Sequence, residues 1–265
     1  MILHYDIQDI VPYINWLYFY HAWSMNGKSE TAKLQLRKDA EEMLRAWEGC
    51  YHTHAVFGLF DANSDGDDLI LGDKRLPMLR QQKPKKPGYP NLCLADFVRP
   101  VGKGKDKVGV FATSVDAELQ KAYLHDDYQR MLSQVLADRL AEGTAEKMHE
   151  EVRRNYWGYA PNERLTMEQT HNEQYQGIRP AVGYPSLPDT SINFILNELI
   201  DMKGIGIRLT ESGMMTPHAS VSGLMLAHPG SCYFELGRIG TDQINDYARR
   251  RGLPVELIRR FLKGV

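Results

Sequence analysis

The 265-residue sequence predicts an α+β fold in a single domain spanning residues 1–265. Three observations carry this reading. Strand-like runs cluster at 55–113 and 205–239, and helical periodicity concentrates at 29–49, 116–155 and 191–203, so strands and helices do not alternate as a doubly wound sheet requires. Hydrophobic residues make up 43% of the chain and charged residues 25%, enough for a real core. No internal repeat interrupts the chain, and no linker is long enough to separate two domains.

The elements follow in order. Residues 29–49 read as a helix that starts near Ser29 and ends near Gly49. AVFGLF (55–60) and LIL (69–71) read as strands around a polar turn. A basic, proline-rich loop, RQQKPKKPGYPN, leads to a second strand pair, LCLADFV (92–98) and KVGVFAT (107–113). A long helical region fills 116–155, with a break expected near 125–127. Beyond it come a helix at 191–203, strands near 205–210, 219–227 and 232–239, and helices at 241–251 and 254–262. Thr241 can cap the first of these last helices, Gly252 can end it, and Pro254 suits the first turn of the second.

The totals also exclude function classes. A net charge of −2 argues against a general nucleic-acid binder. No stretch approaches the roughly 20 apolar residues that span a membrane, and the acidic start MILHYDIQDIVPY is not a signal peptide. Three cysteines (Cys50, Cys93 and Cys232), odd in number and without a CxxC, fit a reducing, cytoplasmic setting.

Several motifs invite a chemical reading and are better read as structure. DANSDGDDLILG starts like a calcium loop with Asp61, Asn63, Asp65 and Gly66, but Gly72 stands where a bidentate Glu is needed, so a polar hairpin turn is expected. GKGKDKVG (102–109) and KGIGIRLT (203–210) carry GxG without a following helix and read as turns. CYHTH places Cys50, His52 and His54 on one strand face, as zinc would need, yet no fourth ligand stands at a recognisable spacing. Lys74, Arg75, Arg80, Lys83, Lys85 and Lys86 form a basic stretch, either a solvated loop or a docking patch for an acidic partner.

Two stretches are more informative. In the long helix, Tyr128, Met131, Leu132 and Val135 form an apolar stripe, and helical spacing carries the same face to Arg139, Glu142 and Glu146. Apolar residues resume on another face at Ala141, Ala145, Met148 and Val152. The face that turns to carboxylates is either exposed charge or the wall of a pocket for a cationic ligand. QGIRPAVGYP (176–185) sets Arg179 before Pro180, which forces an extended conformation, and follows with Gly183 and Tyr184. A stiff loop of this kind displays a cation and a ring, which suits a ligand with a carboxylate and a flat group. Tyr233 and Phe234, on the strand expected at 232–239, should point to opposite faces.

The strings ADRLAE, VRRNYWGYAPNE, YQGIRPAVGYPSLPD, LTES, HASVSGLMLAHP and CYFELGRIGTDQINDYARRRGLP strongly resemble the activation domain of cobalamin-dependent methionine synthase. Upstream, YINWLYFYHAWSMNGK, GLFDANSDGDD, LRQQ and LCLADFV match the same family in the same order, so the resemblance runs from about residue 13 to 262. It implies a C-shaped α+β domain around a twisted antiparallel sheet. It further implies binding of S-adenosylmethionine, whose methyl group reactivates cob(II)alamin held by a partner domain or subunit. Flavodoxin or a flavin reductase would supply the electron. By motif position, the implied ligand-binding residues are Arg179, Tyr184, Glu142, Glu173, Tyr233 and Phe234. The family also accepts tyrosine at the last position, so Phe234 would lack a hydrogen bond. The family's N-terminal aspartate is replaced here by Asn15, which can hydrogen-bond but brings no charge.

The cobalamin motif Asp-x-His-x-x-Gly does not occur in the sequence, nor does a zinc-ligand set for homocysteine. The expectation is therefore a reactivation module of methionine synthase that is inactive alone, either free-standing, as Met1 so close to the first motif suggests, or excised. A non-catalytic S-adenosylmethionine sensor and a reactivator of another corrinoid methyltransferase remain alternatives.

Overall fold

A computed structural model of the chain describes residues 1–84 and 86–262. The chain begins with strand β1 (Ile2–Asp6), the short helices α1 (Ile7–Ile10) and α2 (Trp16–Ala22), and helix α3 (Glu30–Trp47). Strands β2 (His52–Asp65), β3 (Asp68–Leu71), β4 (Lys74–Pro77) and β5 (Asp106–Val115) follow. Next come α4 (Asp127–Glu151), α5 (Met167–His171) and α6 (Ile192–Leu199), then β6 (Arg208–Leu209), β7 (Met215–Thr216) and β8 (Ser220–Met225). Helices α7 (Thr241–Arg251) and α8 (Val255–Phe261) close the described chain.

Among the described residues the main sheet has six strands, antiparallel throughout, in the order β4-β3-β2-β5-β8. Strand β2 is long enough for two partners on one edge: β1 pairs with its first half and β3 with its second. The result is the α+β class expected, with a curled sheet.

Both faces of this sheet are buried, which explains the near-continuous apolar run in β5. Val108, Val110 and Ala112 join one core, with Leu94, Ile192 and Leu196. Phe111 and Val115 join the other, with Leu132, Leu136, Leu140 and Met148 of α4. Thr113, on that second face, donates from Oγ1 to the Ala141 carbonyl at 2.9 Å, tying β5 to the middle of α4. A smaller core of Leu79, Leu236, Tyr247, Ala248, Ile258 and Leu262 seats α7 and α8.

Some expected elements changed. LCLADFV is a 3-10 turn over Leu94–Phe97 and not a strand, because the Asp96 carboxylate accepts from the Cys93 N–H at 2.8 Å and closes the turn. The basic run hides a strand, β4, whose cations are paired: Lys74 with Glu198, Arg75 with Asp65 and Asp68. The expected strand at 205–210 shrinks to β6, and the helix at 191–203 ends at Leu199 before a 3-10 turn, Met202–Ile205. The long helical region does break where expected: a 3-10 turn, Ala117–Lys121, precedes α4, which Asp126 caps by accepting from the Gln129 N–H. Gly240, not Thr241, occupies the cap of α7, while Gly252 ends it. The calcium-like string is the β2–β3 hairpin.

Residues 232–239 form no strand. The free edge of β8 is already taken by the Arg179 segment, through bridges Ile178↔Leu226 and Ala181↔Gly223. The Ile178 N–H donates to the Leu226 carbonyl (2.9 Å), and the Leu224 N–H to that of Pro180 (3.0 Å). This approach needs a residue without a side chain at 223, since a Cβ there would strike the Pro180 carbonyl, the Ala181 backbone and the Phe111 ring.

Two of those neighbours are backbone and cannot rotate away. Gly223→Ala is therefore expected to lower stability by about 1–3 kcal/mol, the range for overpacking. At about 2–4 °C per kcal/mol for a domain of this size, thermal melts should register a drop of several degrees. A melting temperature equal to the unsubstituted protein's would refute the tight approach.

Candidate functional site

A cleft of about 1500 Å³ opens between α4, the residues before α2, the 170–186 stretch and the 232–240 stretch. Asn15, Glu142, Glu173, Arg179, Tyr184, Tyr233 and Phe234 all border it, so the fold brings the seven sequence-derived candidates together.

Arg179 is the best-fixed of them. Its backbone is held by the β8 pairing on either side, and its N–H donates to the Tyr233 hydroxyl at 2.9 Å. Its guanidinium lies 5.5 Å from the Phe111 ring centroid and donates through Nη2 to Glu146 Oε2 at 3.1 Å. Burial opposes the charge, but Glu146 outweighs it and keeps the arginine protonated. Arg179 Nε and Glu146 Oε1 are buried without a hydrogen-bond partner among the described residues.

Glu142 projects from α4 and is held by its neighbour one turn back. Arg139 donates to both carboxylate oxygens, at 2.7 and 3.2 Å. The Tyr184 hydroxyl also donates to Glu142, at 2.9 Å, although the ring is half exposed. Burial and the adjacent Glu142 charge push the Tyr184 hydroxyl up to about 12, so it stays a donor at neutral pH. Gly183, at φ 89°, makes the turn that aims Tyr184 back across the cleft.

Glu173 occupies the left-handed backbone region at φ 56°, a conformation that a non-glycine residue keeps only when its surroundings enforce it. Partial burial and the negative charge of Glu146 raise its carboxyl above the usual range, against the pull of Arg179. Asn15 is the N-cap of α2, its Oδ1 accepting from the Leu17 N–H at 3.1 Å. That cap use leaves its amide nitrogen as the remaining donor at the cleft wall.

Tyr233 and Phe234 required an opposite-face rule only on a strand. In the irregular segment observed, both border the cleft, while Phe234 also packs into the core, its ring 6.4 Å from that of Phe97. Sequence reasoning left out Tyr13, Tyr18 and Tyr175, which also line the cleft. Glu146 was reached by helical spacing and not carried into the candidate set. Tyr175 lies two residues from Glu173, and YQG was its only signal.

The remaining motifs resolve as structure. His54 pairs with Asp116 (2.8 Å) and with His4 across β1 and β2 (2.7 Å), and among the described residues no group of three ligands is placed to hold a metal. In the basic stretch, Arg80 is committed to Asp67 and Asp96, while Lys83 borders the cleft and Lys85 lies outside the described residues.

The family model for the vitamin B12-dependent methionine synthase activation domain matches residues 6–252. The chain belongs to this family. It is also similar to a crystal structure described as the MetH reactivation domain bound to AdoHcy, with 40% identity and a TM-score of 0.92. That match covers 99% of this chain and 88% of the other. An activation domain of a B12-dependent synthase has that synthase's cobalamin-binding domains as partners. No helix of the described activation domain is long and apolar enough to cross a membrane.

The activation domain's LRQQ motif now has a structural role. Gln81 Nε2 donates to the Glu235 carbonyl at 2.7 Å, and Gln82 accepts from the Gly240 N–H, so the pair pins the cleft wall that carries Tyr233.

The raised carboxyl of Glu173 sets a pH test. A group that holds its proton more tightly in the folded state destabilises that state once pH rises above its unfolded value, about 4.3. Glu173→Gln should therefore melt higher than the unsubstituted domain at pH 7, with the difference closing as pH falls below about 4. Equal melting temperatures at pH 7, or a lower one for the variant, would contradict the assignment.

Proposed function

We propose that this cleft binds S-adenosylmethionine and presents its methyl group to a cobalamin held by another domain or subunit of methionine synthase. The observation that carries the proposal is the pairing, in one cleft, of a buried cation with carboxylates and tyrosine rings. S-adenosylmethionine brings a carboxylate, an ammonium, a sulfonium and a purine. Arg179 would take the carboxylate, with Glu146 fixing its guanidinium. Glu142 and Glu173 would face the positive groups, and Tyr184, Tyr233 and Phe234 the flat and apolar parts. Asn15 supplies an amide and no charge, so the electrostatic load falls on the two glutamates. The unpartnered buried Nε of Arg179 supports a polar ligand at this point. The neighbour bound to AdoHcy, the demethylated form of this ligand, supports the same reading.

In this role a partner's cobalamin would accept one electron from the donor and the methyl group from S-adenosylmethionine: the sulfur–methyl bond would break, the methyl would pass to cobalt, and S-adenosylhomocysteine would leave. The protein's contribution is placement, which makes the transfer effectively intramolecular and contributes several kcal/mol. The electron donor would be flavodoxin or a flavin reductase, and the setting the cytoplasm.

A charge-assisted hydrogen bond to a carboxylate is worth roughly 1.5–3 kcal/mol, so Arg179→Ala should weaken S-adenosylmethionine binding about 10–150-fold in calorimetric titration. Unchanged affinity in a variant that melts as a folded protein would remove Arg179 from the site. For the activity, cob(II)alamin bound to a synthase lacking its own activation domain is followed by absorbance. Conversion is expected only with this chain, S-adenosylmethionine and a low-potential electron donor all present. Failure to stimulate that synthase would defeat the reactivation role.

A further inference from the structure

Beneath the cleft floor lies a second arginine that none of the ligand assignments uses. Arg153 is fully buried, its side chain 0% exposed. It sits in the π-helical turn Val152–Tyr156 that continues α4, where the Trp157 N–H donates to the Val152 carbonyl at 2.9 Å. Such a turn inserts a residue into the helical repeat and re-aims the side chains that follow. Here it directs a guanidinium into the core.

That guanidinium has several partners. Nε donates to both Glu163 oxygens (3.1 and 3.0 Å), and Nη2 to Glu163 Oε1 (2.7 Å). Nη1 donates to His149 Nδ1 (2.8 Å), which requires that ring nitrogen to be unprotonated. Burial, then the charges of Arg153 and Arg179, hold His149 well below the usual imidazole range, in agreement with that hydrogen bond. Nη1 also stands 3.9 Å from Glu146 Oε1, and the guanidinium stacks 4.1 Å from the ring centroid of Tyr175. Glu146 and Tyr175 both line the cleft. Glu146 thus lies between two guanidiniums, that of Arg153 below and that of Arg179 above.

We propose that Arg153 is a positioning residue for Arg179: anchored on Glu163 and stacked on the Tyr175 ring, its charge draws Glu146, 3.9 Å away, and through Glu146 it fixes the guanidinium of Arg179. This rests on the reading of the cleft as the S-adenosylmethionine site. Two carboxylates and two guanidiniums make the cluster neutral, and only a planar fork donates to Glu163 and His149 together while its charge stands 3.9 Å from Glu146. Lysine retains the charge and loses the fork.

The test is calorimetric titration of the full chain with S-adenosylmethionine for Arg153→Lys and Glu163→Gln, each alone and combined with Arg179→Ala. Each single variant should bind about 2–30-fold more weakly, the range for substitutions that couple to a site without touching its ligand. In the Arg179→Ala background neither should cause further loss, because the residue they position is gone. A merely structural role would lower affinity by the same factor in both backgrounds, and that result overturns the proposal. Wild-type affinity in a folded single variant overturns it as well. If Arg153→Lys does not fold, Glu163→Gln, which keeps the shape and acceptor oxygen, decides alone. No binding by the unsubstituted chain is a different failure, that of the ligand assignment itself.

Discussion

The geometry of the cleft depends on one close approach, that of the 178–182 backbone to β8 at Gly223. Bridges at Ile178 and Ala181 bind this segment to the sheet edge and leave Arg179 and Pro180 between them. Pro180 has no N–H to leave unsatisfied there, and its ring keeps Arg179 extended. The arginine therefore projects from what is effectively another strand, with the backbone fixed before any ligand arrives. Phe111, opposite Gly223 in the β5–β8 register, supplies the ring beside which the guanidinium lies. Sheet and site are thus the same piece of structure: the residue that lets the edge be covered is also the one that places the cation.

Helix α4 supplies the other wall by a similar economy. Its 25 residues bury Leu132, Leu136, Leu140, Ala141, Ala145 and Met148 against the sheet. A neighbouring face carries Arg139, Glu142 and Glu146 into the cleft. Because the sheet curls away beneath it, one helix can be core on one side and ligand wall on the next. Arg139 neutralises much of Glu142, whereas Glu146 is balanced from outside the helix, by Arg179. The two carboxylates are similar in sequence position and different in electrostatic environment.

Much of this was legible in the sequence, for identifiable reasons. Apolar runs in β2 and β5, the caps at Ser29 and Gly252, and the break before α4 are local signals that tertiary structure left alone. The stripe from Tyr128 to Val135 was right in part: Leu132 is buried and Val135 packs against the core, whereas Tyr128 and Met131 are exposed, and the buried face runs on through Leu136. LCLADFV and residues 232–239 have strand-like patterns, but strand formation needs a free partner edge. A carboxylate cap closes the first into a turn, and the second finds β8 already paired. Strand β4 was hidden by its charges, whose acidic partners come from β2, β3 and α6. The site residues were named through resemblance together with spacing. Tyr175 and Arg153 were missed because their roles arise from a π-turn and a buried cluster, and periodicity reports neither.

That cluster raises a question of energetics. Burying Arg153, Glu163, Glu146 and Arg179 contributes little net stability, since desolvation offsets most of the attraction between paired charges. A set of apolar side chains would fill the same volume at less risk, and each orphaned atom, such as Glu146 Oε1, is a debit. What the charged cluster provides is direction. An apolar core under the cleft would leave the Arg179 side chain to choose among rotamers, whereas Glu146 fixes it before binding, and a prefixed donor loses less conformational freedom when a ligand arrives. The neutral His149 fits the same logic, accepting from Arg153 without adding a charge that the cluster would have to balance.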